Sequence, residues 1–158
     1  MSSPRILEGE TVTGGRKVAI VAARFNDFIV ASLLKGATAA WLERGGPVED
    51  LLIARVPGAF ELPVVARRLA LSGRYDAVVA LGCVIRGDTP HFEYVSGECA
   101  RGLQLASLET GVPVIFGVLT VETVEQALER AATTAGNKGG EAMAAALEMA
   151  SLMAHLAS

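Results

Sequence analysis

One stretch concentrates residues fit for chemistry. Gly82–Glu93 reads G-C-V-I-R-G-D-T-P-H-F-E and holds His91, one of two histidines in the chain. Thr89-Pro90 has the look of a helix start, with proline inside the first turn. A helix N-terminus offers unpaired backbone N–H groups and the positive end of a dipole, which together suit a phosphate. The Asp88 carboxylate would repel an anion there, but its backbone N–H could still bind one. His91 falls within that first turn. Imidazole is the side chain whose ordinary pKa lies near neutrality, so it can both give and take protons. A histidine that only caps or packs is the structural alternative, and position favours catalysis over it. His155 lies in an apolar C-terminal helix and reads as structural.

Other candidates follow other predicted strands. Phe25 could stack on a flat ring or serve as a hydrophobic staple. Glu61 could accept hydrogen bonds from hydroxyls or complement a helix dipole. Arg130 lies near a glycine-rich turn, Gly136–Gly140, and Lys138 lies within it; arginine grips phosphate by two hydrogen bonds. Most arginines and lysines are simply solvated, so neither stands out alone.

These residues need a frame to bring them together. Lys17–Ala23 is a short, apolar, β-branched run, as expected of a buried parallel strand. A helical period covers about Phe28 to Arg44 and stops at Gly45-Gly46-Pro47. Leu51–Val56 is the second strand, and a helix from about Ala59 to Leu71 follows. Asp76–Val84 is the third strand, followed by a helix from about Pro90 to Glu109. Val114–Leu119 is the fourth, followed by a helix over Glu122–Ala135. Glu141–Leu156 is the last helix, and Arg5–Gly9 could add a short edge strand. Strict alternation implies a parallel sheet sandwiched by helices, in the flavodoxin-like or Rossmann-like class. In such sheets ligands bind beyond the carboxyl ends of the strands, where all these loops converge.

Composition narrows the function. The 158 residues suit one domain spanning the whole chain, and the net charge of −3 comes with no Lys/Arg run. Nucleic acid and anionic membranes are therefore not expected as partners. Cys83 and Cys99 lack metal-ligand spacing and read as reduced thiols of a cytoplasmic protein. No signal peptide or membrane span is expected. The apolar share of 51% with only 5% aromatics hints that some apolar surface is covered by other subunits. The last helix, apolar over most of its circumference, fits either its own core or a neighbouring subunit, and the small domain favours the neighbour. A dinucleotide fingerprint, a Walker loop, a nucleophile elbow and a zinc cluster are all absent from the sequence.

In order and spacing the motifs resemble the lumazine synthase family over nearly the whole chain, from about Ile6 to the last helix. They are A-R-F-N at Ala23–Asn26, P-G-A-F-E-L-P at Pro57–Pro63, the Gly82–Glu93 string, F-G-V-L-T at Phe116–Thr120 and G-N-K-G at Gly136–Gly139. The resemblance implies a flavodoxin-like three-layer α/β/α sandwich around a four-stranded parallel sheet. It also implies condensation of 5-amino-6-(D-ribitylamino)uracil with 3,4-dihydroxy-2-butanone 4-phosphate, with no metal or organic cofactor. Phe25 would then stack on the pyrimidine. Ala59, Phe60 and Glu61 would hold the ribityl chain and ring edge. The backbone of Cys83, Val84 and Ile85 would hold the pyrimidine. Asp88, through its backbone, and Thr89 would bind phosphate with Arg130. Phe116 would touch the pyrimidine, Lys138 would line the pocket and His91 would move protons. Phe116, Arg130 and Lys138 would come from a neighbouring subunit of a pentamer. Icosahedral shells and a riboflavin synthase partner also belong to the implication, and the turn from Gly139 to Glu141 carries no insertion that would oppose a shell.

The chain departs from the resemblance at Thr134, where relatives often carry lysine, which implies less positive charge near the phosphate. Three rivals remain: the archaeal type of riboflavin synthase, a flavodoxin-type flavin-binding module, and a shell protein without activity. The G-x-x-I-R-G-x-T-x-H string opposes the first. His91 and Arg130 would be idle in the second.

Overall fold

The structure, a computed structural model, describes residues 2–132 and 136–157. Four strands, β1 (Val18–Ala23), β2 (Leu51–Val56), β3 (Ala77–Ile85) and β4 (Val114–Val121), form one parallel sheet in the order β2-β1-β3-β4. The helices are α1 (Asp27–Glu43), α2 (Leu62–Leu71), α3 (His91–Thr110), α4 (Val124–Arg130) and α5 (Lys138–Ala157).

Right-handed crossovers dictate the layers. The chain moves from β1 to β2 in one direction, then back across β1 to β3 and on to β4. α1 therefore lies on one face of the sheet, and α2 and α3 on the other. The strands show the same division: Val18, Ile20 and Ala22 of β1 pack with α1, α4 and α5, whereas Val21 and Ala23 pack with α2 and α3. β1 and β3 are buried on both faces, apart from the half-buried Ile85 at the end of β3. That burial is why they read as continuous apolar runs rather than alternating ones. The direction of winding reverses between β1 and β3, so a crevice opens beyond their carboxyl ends.

α5 packs chiefly along α1 of its own chain. Gly139 permits this close approach, since a Cβ there would sit 1.9 Å from the Leu33 carbonyl oxygen. Met143, Ala146, Leu147 and Ala150 are buried, while Met149, Met153 and Leu156 stay exposed. The preference for a helix given over to a neighbour is thus corrected in part: one face of α5 is core, and only the remainder is open.

Two other expectations are corrected. Arg5–Gly9 forms no strand. Its end is fixed against α5 instead: Gly9 abuts the Glu148 carbonyl, and the Glu10 N–H donates to Ser151 Oγ at 3.0 Å. A chain held on the helical layer cannot also pair at the sheet edge. Of the helix expected over Glu122–Ala135, the structure forms Val124–Arg130, with Ala131 and Ala132 outside it; positions 133–135 lie outside the described residues. Thr123 caps it by accepting the Gln126 N–H, and the Gln126 side chain in turn accepts the Glu122 N–H, which fixes the start as a side-chain cap does. At the far end the Ala131 carbonyl accepts a bond from Asn137 Nδ2. No helix among the described residues is long and apolar enough to cross a membrane.

Candidate active site

The crevice at the reversal point is a cleft of about 710 Å³, within the range of small-molecule sites. Its floor is Cys83, Val84 and Ile85 at the end of β3. One wall is the turn after β1, with Phe25 and Asn26, and the turn after β2, from Pro57 to Glu61. Thr89 and His91, at the head of α3, form the other wall with Phe92, Tyr94 and Val95.

Local geometry explains how each part is held. Asn26 sits at φ 60°, in the left-handed region, and turns the chain from β1 into α1. Asparagine tolerates this region better than most residues. Its Nδ2 donates to the Cys83 carbonyl at 2.8 Å, tying the ends of β1 and β3 together under the cleft. The Phe25 N–H donates to the Pro57 carbonyl at 2.9 Å, which joins the two turns of the first wall. Phe25 is 70% exposed and Phe60 58% exposed, so both rings are open to a ligand. Gly82 lies under this floor, where an added Cβ would come 3.2 Å from the Leu62 side chain. α3 begins at His91 itself, with Pro90 preceding it rather than inside the first turn. His91 is exposed, and among the described residues its imidazole makes no hydrogen bond to another side chain.

Burial pushes the Cys83 and Cys99 thiols up to about 11, so both stay protonated at neutral pH. The thiolate is the reactive form, and the floor of the cleft is therefore not a nucleophile. A thiol reagent at pH 8 is expected to label neither cysteine in the native protein and both after denaturation. Rapid labelling of the native chain would contradict this burial.

Of the residues singled out in the sequence, Phe25, Ala59, Phe60, Glu61, Cys83, Val84, Ile85, Thr89 and His91 line this cleft. Asp88 lies between two lining residues, Gly87 and Thr89, and is exposed. Phe116, Arg130 and Lys138 do not join them. They line a second pocket of about 480 Å³ on β4, α4 and α5, which shares no residue with the first. There Arg130 donates to the Gln126 carbonyl at 3.1 Å, and Lys138 pairs with Glu141 at 3.3 Å. Thr134 lies outside the described residues.

The sequence reading missed Tyr94 and Val95 as parts of the cleft. They stand three and four residues after His91, so helical spacing alone puts them on its side of α3. It also left Arg86 without a role, although that side chain meets Glu93, Glu122 and Phe92. No local spacing signals the Arg86–Glu122 pair, since the two residues lie on different strand–helix turns.

The family model described as 6,7-dimethyl-8-ribityllumazine synthase matches residues 15–154. A relative from Syntrophus aciditrophicus (strain SB), named 6,7-dimethyl-8-ribityllumazine synthase, is 55% identical over 150 residues. That alignment covers 95% of this chain and 97% of the relative.

Proposed function

Because the chain belongs to the 6,7-dimethyl-8-ribityllumazine synthase family, we propose that its two pockets are complementary halves of one active site, joined from two copies. The reaction is the condensation of 5-amino-6-(D-ribitylamino)uracil with 3,4-dihydroxy-2-butanone 4-phosphate in riboflavin biosynthesis. The uracil amine attacks the ketone to give an imine and water. Phosphate then leaves, and ring closure with loss of a second water gives 6,7-dimethyl-8-ribityllumazine.

One observation carries the two-copy reading. The cleft holding His91 has no lysine or arginine among its lining residues, yet one substrate carries a phosphate. Arg130 and Lys138 line the other pocket, together with Phe116. Joining the two supplies the missing cations. Thr89 and the Asp88 backbone N–H then bind phosphate from one side, and Arg130 binds it from the other. Lys138 lines the same region. Phe25 and Phe116 contact the pyrimidine, the latter from the neighbour. Ala59, Phe60 and Glu61 hold the ribityl chain and ring edge, with Glu61 accepting from hydroxyls. The backbone of Cys83 to Ile85 binds the pyrimidine edge.

His91 carries protons between the amine, the carbonyl and the leaving groups. Orientation and fixed dipoles at the strand ends supply the rest of the acceleration.

A front-to-back contact makes a ring when its rotation closes, and the closed ring proposed here is a pentamer. Exposed apolar side chains such as Phe28, Leu52, Ile53 and Val64 support such contacts. Icosahedral shells of such rings, a riboflavin synthase partner and a cytoplasmic location extend the same proposal, and sedimentation velocity separates a pentamer from a shell. The activity itself is tested by mixing purified protein with both substrates. Appearance of lumazine absorbance and fluorescence above the protein-free rate is expected, and no increase over that rate would overturn the reading.

A further inference from the structure

We propose that Arg86 is a positioning residue that sets the place of His91 in the cleft. The inference rests on the reading of His91 as proton carrier.

Arg86 follows the last residue of β3, and its N–H donates to the Val121 carbonyl at 2.9 Å, so its backbone is fixed to the end of β4. From there the guanidinium makes three contacts. Its Nε lies 2.7 Å from Glu122 Oε2, beyond β4. A terminal nitrogen hydrogen-bonds Glu93 in the first turn of α3. Its central carbon stands 4.4 Å from the centre of the Phe92 ring, a cation–π distance. Phe92 and Glu93 are the two residues immediately after His91.

The need for such a clamp comes from what the helix start lacks. Pro90 provides no side-chain cap for α3. Gly87 to Pro90 are all exposed. The imidazole itself has no side-chain partner among the described residues. The rigid strand ends therefore reach His91 through Arg86. The planar fork can address two carboxylates while stacking on an aromatic ring, which an ammonium cannot reproduce in full. The pairs are largely exposed, so they add little to global stability. Their consequence is geometric: a displacement of about 1 Å of a catalytic group can cost a hundredfold in rate.

The test combines Arg86→Met and Arg86→Lys with His91→Ala, assayed for lumazine formation by the assembled protein. Arg86→Met is expected to lower kcat about tenfold, with KM for both substrates changed less than about twofold. Arg86→Lys should recover part of the loss. In the His91→Ala background, Arg86→Met should lower the residual rate no further, because a residue acting through His91 has nothing left to position. Glu122→Gln, which removes one partner while leaving the arginine in place, should lower kcat in the same direction. Unchanged kcat in Arg86→Met, or an equal fold-loss with and without His91, would overturn the inference. Full activity of His91→Ala alone would overturn the proton-carrier reading, and the inference with it.

Discussion

His91→Ala is expected to lower kcat for lumazine formation by about a hundredfold, the lower end of what a positioned acid–base group contributes. The condensation requires protons to be moved at an amine, a carbonyl oxygen and a departing hydroxyl. Among the residues lining the cleft, the imidazole is the one suited to do this in both directions near neutrality. The other histidine, His155, lies in the last turn of α5, on the opposite face of the sheet from α3. His91 is exposed and opens its helix, so its loss should change stability by no more than about 0.5 kcal/mol. Steady-state kinetics read the effect, and sedimentation velocity checks that assembly is retained. An unchanged kcat would show that another group carries the protons.

Arg130→Ala is expected to act differently. A charge-assisted pair to phosphate is worth about 1.5–3 kcal/mol. Its loss should raise KM for the phosphate-bearing substrate by roughly tenfold to a hundredfold. The uracil substrate, which carries no phosphate, should keep its KM. Because Arg130 lines a pocket separate from that of His91, this defect should belong to the neighbour's site rather than to the chain's own. A rise in KM for the uracil substrate alone would contradict the assignment.

Much of the frame was legible in the sequence, for physical reasons that differ by element. β1 and β3 are buried on both faces, and an uninterrupted apolar run is the mark of such a strand. β2 matched its expected bounds at both ends, because turn residues delimit it. Arg5–Gly9 failed because an apolar pair, Ile6-Leu7, can satisfy a strand or a docked extended segment, and only the tertiary contact of Gly9 with α5 decides between them. α4 came out shorter because a threonine cap and an asparagine from the following turn fix its ends, and periodicity does not register side-chain caps. In the cleft, the residues at strand ends were legible because the sheet forces them to one edge. The clamp at Arg86 was not, since it joins side chains that only the folded sheet brings together.

The claim that one active site is built from two copies of the chain can be tested directly by mixing defects. His91→Ala and Arg130→Ala chains, carrying different tags, are co-expressed, and assemblies holding both tags are purified. They are assayed with the phosphate-bearing substrate well below the KM of the Arg130→Ala protein. With random placement around a ring, half of the fronts keep His91 and half of the backs keep Arg130. About a quarter of the sites are then intact. Mixed assemblies should recover about a quarter of the unsubstituted activity, far above either variant alone. Activity no greater than the mean of the two variants would mean that His91 and Arg130 do not meet across copies.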